Sequence, residues 1–395
     1  MTTKFSPNLK IMRLMLGIAV VVIGGAAQAA TPLYHITDLG TAIGGFSNID
    51  ATSINNLGQV TGSGVNSSGQ THAYIYNNGS MQDIGTLGGD NTSSFFGKSI
   101  NDHGAVTGYS LGKFSGPNAF VYDGNQMNAI GKLVPQQNGT DGRGINNAGQ
   151  ITGMSYGILG TSGIGIEYQK AFTANPNYNQ LNDLGTLGGG FVISHGNAIN
   201  DGGQVTGVSL TTSGAMHAFI DEDNQMKDIG TLGGDASEGL AINNQGVITG
   251  NSLLSNNILK HAFIYRNGSM QDIGTLGGSD SSGNGINDSG AIVGTSKKIN
   301  GAQAAFLYSS NIMTDLNTVL DSSGNGWLLS SATDINNTGQ IIGTGYYNGH
   351  QTSFLLTEVA PVPLPGSVLL LGSGLGLFGW LKRRHQPLKV QSFNA

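Results

Sequence analysis

The chain has 395 residues, 65 of them glycine, with charged residues at only 10% and no cysteine. Disulfides and thiolate metal sites are thereby excluded, and burial in short strands joined by tight turns has to hold the fold. Seven of the 17 basic residues (Lys4, Lys10, Arg13, Lys382, Arg383, Arg384, Lys389) lie near the two ends, which leaves 10 in the middle against all 23 acidic ones, a balance near −13 that repels nucleic acid.

Residues 1–29 read as a secretory signal peptide. Lys4, Lys10 and Arg13 form a basic start, Leu14 to Ile23 an apolar core, and Ala27-Gln28-Ala29 a small-residue site before Ala30. Cleavage by signal peptidase after Ala29 is the expectation, because the apolar run is too short for an anchor and ends in that site.

From residue 31 to 358 three short patterns alternate, each seven times. The first ends a strand with apolar-Asp-apolar-Gly: Thr37-Asp38-Leu39-Gly40, then DIGTLGG or DLGTLGG at Asp83, Asp183, Asp228 and Asp272, with degenerate copies at Ala129-Ile130-Gly131 and Asp315-Leu316-Asn317. The second is I-N-[ND]-x-G-x-[VI]-x-G from Ile54, Ile100, Ile145, Ile199, Ile242, Ile286 and Ile335. The third is a short aromatic run such as HAFID at His217 or HAFIY at His261. Successive Ile-Asn anchors lie 46, 45, 54, 43, 44 and 49 residues apart.

A period in the mid-forties marks a supersecondary unit stacked into an array. The N-[ND]-x-G tetrad suits a type I turn with Gly in the left-handed region, joining two antiparallel strands through a bulge. Asn78-Gly79 and Asn267-Gly268 suit a second hairpin, so each unit holds four strands, one propeller blade. The last unit lacks its fourth strand, while Leu33–Leu39 is a spare one. The expected fold is therefore all-β, a seven-bladed β-propeller of four-stranded repeats closed by its N-terminal strand; the alternative is an open β-solenoid. Helices are expected only in the signal segment and the C-terminal apolar run.

These repeats resemble the HAF family of extracellular repeat proteins, through His217-Ala218-Phe219, His261-Ala262-Phe263 and their DLGTLGG and I-N-x-x-G-Q-V-x-G companions. The resemblance spans residues 33–356 and implies secretion and a repeat architecture, with no particular reaction.

The glycines of DIGTLGG do not make a phosphate site. No Lys-Ser/Thr pair follows them, and polar loop continues where a helix N-terminus would be needed. His72, His217 and His261 share one repeat position, which spreads them around a ring and away from a common metal. The repeat aspartates suit local Asx turns. Carboxylates outside the consensus are Glu167, Asp221-Glu222-Asp223 and Glu358, none of them an evident catalytic pair. No catalytic, cofactor or metal residue is assigned. The departures from the repeat are the ligand-loop candidates: the insertion Tyr156–Tyr168 (YGILGTSGIGIEY), with Tyr156 and Tyr168, and Trp327, the only tryptophan of the repeat region. Exposed aromatics on loops stack on sugars and partner surfaces; the competing reading is that they cover a blade edge.

Residues 359–365 form a linker with Val362-Pro363-Leu364-Pro365. Residues 366–384 carry an apolar run from Ser367 to Leu381 closed by Lys382, Arg383 and Arg384, and 385–395 form a tail. This end resembles the PEP-CTERM sorting signal of Gram-negative bacteria, with Leu364 where the family has Glu. The resemblance implies transient anchoring in the inner membrane and recognition by an exosortase-type enzyme. The functional expectation is an exported, non-enzymatic protein of the cell surface or extracellular matrix, linked to exopolysaccharide. A lectin-like glycan-binding propeller is the alternative, and a polysaccharide lyase or hydrolase comes third. No cofactor and no nucleic acid enter any of these.

Overall fold

The computed structural model describes residues 33–42, 44–93, 99–112, 115–133, 139–159, 166–188 and 193–359. Ala27, Ala29 and Ala30 of the cleavage site, and Pro363, Leu364, Pro365, Lys382, Arg383 and Arg384 of the sorting signal, lie outside these residues. Among the described residues, no helix is long and apolar enough to cross a membrane.

The repeated hairpin forms for the reason its residues suggest. In the first unit the Asn55 side chain accepts from the backbone N–H groups of Leu57 and Gln59, its carbonyl accepts from Gly58, and Gly58 takes φ +77°. The glycine recurs in all seven units with φ between 73 and 82°, a region where a Cβ is penalised. The turn joins strand Ser47–Ile54 to Val60–Val65; Thr71–Asn77 and Ser80–Asp83 complete the blade. Asn78 and Gly79 close the second hairpin, both at positive φ, as a two-residue turn matched to strand twist requires.

Seven such four-stranded antiparallel sheets follow one another: blade 1 (47–83), blade 2 (88–129), blade 3 (139–183), blade 4 (194–228), blade 5 (233–272), blade 6 (277–315) and blade 7 (327–358). Blade 7 takes its fourth strand from the other end of the chain. Tyr34–Asp38 pairs antiparallel with His350–Glu358, from Tyr34 opposite Glu358 to Asp38 opposite Phe354. The sheets close into a seven-bladed β-propeller, and the open solenoid is set aside. One refinement concerns the closing segment: its strand stops at Asp38, whose carboxylate caps a short 3-10 turn, Leu39–Thr41.

DIGTLGG spans a blade boundary. Asp83 ends the fourth strand of blade 1, while Gly88 already opens the first strand of blade 2. The core lies in the seams between blades. Each blade contributes one fully buried aromatic (Tyr74, Phe120, Phe172, Phe219, Phe263, Phe306 or Phe354), packed with residues of the next or previous sheet. The phenylalanine of the aromatic run is therefore a seam residue.

In blades 1 and 3 to 7 the first strand is innermost, packed against the first strand of a neighbouring blade. The meander sends the N-x-G turns and the third-to-fourth turns to one face, here the Asn face. The second-to-third turns and the DIGTLGG connections emerge on the other, the crossover face.

Candidate functional site

Repeated side chains with a chemical reputation are engaged locally. His72, His217 and His261 each place Nδ1 2.8 Å from the carboxylate of Asp83, Asp228 and Asp272 in the same blade. The other oxygen of each carboxylate accepts from the N–H of the glycine two residues on, Gly85, Gly230 or Gly274. Lys170 with Asp183 occupies the equivalent place in blade 3, and in blade 6 Lys298 reaches Asp315 from the second strand instead. The His and Lys170 pairs pin the fourth strand to the third, and all five pairs are spread around the crossover face. Among the described residues, no group of three His, Cys, Asp or Glu side chains could hold a metal ion.

On the Asn face the Ile-Asn anchors do more than make turns. The Nδ2 of Asn55 donates to the carbonyl of Asn101, Asn101 to Asn146, and so on through Asn200, Asn243, Asn287 and Asn336, which returns to Asn55, at 2.9 to 3.1 Å throughout. All seven anchors are buried. The next residues form a second closed ring. Asn56, Asp102, Asn147, Asp201, Asn244, Asp288 and Asn337 each donate a backbone N–H to the side-chain Oδ1 of the next blade's residue at 2.8 to 3.0 Å. Each of the three aspartates also accepts two asparagine amides through its other oxygen. A cavity of about 30 Å³ just inside, between the anchor residues of blades 1 to 5, has room for about two waters. The rings are architecture, and the strength of the inner one is measurable. Asn146→Ala removes bonds to Asn200 and Gln150 and leaves the Asn200 carbonyl only its turn bond from Gly203. We expect a loss of about 2 kcal/mol in urea unfolding, against roughly half that for the half-buried Asn147→Ala.

The loop aromatics sort differently. Trp327 begins the innermost strand of blade 7, stacks on Tyr347 (centroids 5.2 Å apart) and meets the edge of Phe354. It covers a blade and is only partly exposed. Tyr168 is 1% exposed, and its hydroxyl has no partner. Tyr156 sits on the second strand of blade 3 opposite Gly139, half-buried near Asp141, with burial first and that carboxylate second pushing its hydroxyl up to about 12. The tip of the insertion, 160–165, and the Glu167 side chain lie outside the described residues. Of the other carboxylates, Glu222 accepts from Gln204, Asp221 is buried with one oxygen unpartnered, and Glu358 pairs in register with Tyr34.

Tyr156 leads to a cluster that repeat reading passed over. Counted back from the anchor isoleucine, the fourth and second residues of the innermost strand hardly repeat: Asp50 and Thr52, Asp141 and Arg143, His195 and Asn197, Glu238 and Leu240, Ser282 and Asn284, Ser331 and Thr333. The position between them is Gly or Ala in all six of these blades. In blades 3 to 6 the varying residues are half-buried, apart from Asn197, which is buried, although they stand on the strand nearest the axis, so the half-buried ones line a channel.

In blades 3, 4 and 5 they form a chain. Arg143 Nη1 donates to Asn197 Oδ1 at 2.8 Å, and Asn197 Nδ2 donates to Glu238 Oε1 at 3.0 Å and to the Gly239 carbonyl. Arg143 Nε is buried without a partner. His195 is hydrogen-bonded to the Gln169 side chain; burial, and then the neighbouring Arg143, bring its imidazole down to about 4. Burial raises Asp141 above the usual carboxylate range, opposed by Arg143, and lowers Arg143 itself. The cluster thus brings together a guanidinium, two carboxyl groups, an amide and an imidazole that is neutral at pH 7. A hollow of about 430 Å³ on the Asn face, between blades 5 and 6, is weaker. Its Tyr308 hydroxyl is bonded to Asn311, and its Asp288 belongs to the outer ring.

No protein-family model matches this chain, and no curated protein matches it. Solved structures similar to it include the acylaminoacyl peptidase of Pyrococcus horikoshii, at 10% identity and a TM-score of 0.52 over 79% of this chain and 52% of that one. A puromycin-hydrolyzing peptidase of Mycobacterium tuberculosis gives 10% and 0.50 over 80% and 53%. An Aleuria aurantia lectin gives 12% and 0.36 over 70% and 96%. This chain spans about half the length of either peptidase chain, and at such identity the likeness concerns the fold alone.

Proposed function

We propose that this protein is an exported, non-enzymatic propeller of the bacterial cell surface or extracellular matrix that binds polysaccharide. One observation carries the reading. The repeated His, Asp and Asn side chains are engaged in pinning strands and joining blades, while the polar residues that break the repeat gather in the channel of blades 3 to 5. A rigid ring with a single irregular polar lining suits recognition. Among the described residues there, the hydrogen bonds join amide, guanidinium, imidazole and carboxyl groups, and none joins a hydroxyl nucleophile to a base. The leader and the Pro363-Leu364-Pro365 to Arg384 segment support delivery to the outside by signal peptidase and an exosortase-type enzyme.

Two measurements test this. Full-length protein incubated with exopolysaccharide from its source cells is expected to co-sediment with the polymer without releasing reducing ends; depolymerisation would overturn the non-enzymatic reading. Mass spectrometry of protein recovered from those cells should find Ala30 at the N-terminus and no peptide from His385–Ala395. Protein intact to Ala395 would defeat the sorting proposal.

A further inference from the structure

We infer that the channel lining of blades 3, 4 and 5, centred on Arg143, Asn197 and Glu238, is a subsite for one neutral pyranose ring. This rests on the polysaccharide-binding reading and places its contact at one point of the ring.

Placement is the first argument. Asp141, Arg143, His195, Asn197 and Glu238 come from three successive innermost strands at equivalent steps from their anchors, and hydrogen bonds link Arg143, Asn197 and Glu238 from blade to blade. A repeat protein built only to stack would keep these positions as uniform as the Gly or Ala between them. Because they differ, the ring has one such site, whereas a site made of consensus residues would recur in every blade.

Chemistry is the second. The bonds from Arg143 to Asn197 and from Asn197 to Glu238 hold the three groups in a fixed order. They leave the buried Nε–H of Arg143 without an acceptor. Among the described residues, no ion pair joins the guanidinium to Asp141 or Glu238. A buried donor left open costs free energy that a ligand acceptor recovers. A sugar hydroxyl is such an acceptor, and it donates in turn to a carboxylate. Vicinal hydroxyls therefore fit alternating donors and acceptors, and the Tyr156 ring beside Asp141 supplies a flat apolar surface of the kind a pyranose face stacks on. A uronic acid fits worse, because its carboxylate would enter beside both Asp141 and Glu238.

The test is calorimetric titration of the full-length protein with methyl β-D-glucopyranoside, -galactopyranoside and -mannopyranoside, and with methyl β-D-galacturonoside. At least one neutral glycoside is expected to bind with one site per chain and at least tenfold better than the uronoside. Arg143→Lys, which keeps the charge but loses the planar fork, and the isosteric Glu238→Gln should each weaken that binding about tenfold or more, with unchanged circular dichroism. Asp83→Asn, in the blade 1 pair, should leave it unchanged. The inference fails if no neutral glycoside binds, if the uronoside binds better, or if both channel variants bind like the parent. Exopolysaccharide co-sedimentation undiminished in both variants would remove the channel site and leave the broader reading standing. Glycoside binding without co-sedimentation would do the reverse.

Discussion

A chain lacking residues 33–38 does not form a smaller ring; we expect it to lose cooperative unfolding and to associate. Tyr34 is 3% exposed, Ile36 5% and Leu39 0%, and all three pack into seams beside blade 7. Burying side chains of this size contributes about 1.5–3 kcal/mol each, so losing two and uncovering the third approaches the roughly 5–15 kcal/mol by which a domain is stable. Tyr34 also accepts from the backbone of Asp321 and donates to Val319, tying the closing strand to the segment between blades 6 and 7. The deletion would bare the edge of His350–Glu358, a template for pairing with another chain. Size-exclusion chromatography and a thermal melt decide it. A monodisperse variant melting with the parent would show that the ring does not depend on this strand.

The second large effect comes from a single methyl group. In Gly207→Ala the new Cβ would stand 1.8 Å from the carbonyl oxygen of His195 and 3.1 Å from the Asn197 nitrogen. Both are backbone atoms of the neighbouring strand, so no side chain can swing aside. The crowding arises where the innermost strand bulges, between Gly196 and Ala198, pushing one peptide toward the second strand. Glycines in five other blades face the same carbonyl at 1.8 to 2.1 Å, namely Gly62, Gly153, Gly250, Gly294 and Gly343. We expect a loss of about 4 kcal/mol in urea unfolding, among the larger single-residue effects. Gly214→Ala, in an open turn with nothing within 4 Å, should cost about 1 kcal/mol through its φ of +84° alone. Equal losses in the two variants would refute the steric account.

Both effects concern motif residues, and they mark how far sequence reading reaches. The blade count, the hairpin turns and the spare first strand were legible because each depends on neighbours within one unit or on simple counting. Asp83 as a turn acceptor was legible for the same reason, whereas its pairing with His72 on the neighbouring strand was not. The asparagine rings were not, since Asn146 serves as a local turn-former in its own unit while its inter-blade acceptor on Asn200 lies 54 residues away. Arg143 and Glu238 escaped for another reason. Departures were sought in insertions, where chain length changes, and these residues replace others at a fixed step within a strand. Aligning the units on their isoleucines would have isolated them. Trp327 shows the converse: its rarity drew attention, yet its stacking on Tyr347 gives it a packing role.

The outer asparagine-aspartate ring carries a constraint of parity. Around the axis it runs Asn56, Asp102, Asn147, Asp201, Asn244, Asp288, Asn337, an alternation that seven places cannot complete. The mismatch falls between Asn337 and Asn56, at the junction of the last blade with the first, and there the two amides reach away from each other toward Asp288 and Asp102. An odd ring has to repeat one residue type somewhere. Two adjacent aspartates would set carboxylates side by side with no amide between them, whereas two asparagines cost only one unmade amide bond. Growth of the array by copying one blade would therefore be tolerated when the copy carries asparagine here, and copies carrying aspartate would have to arrive with an asparagine blade between them.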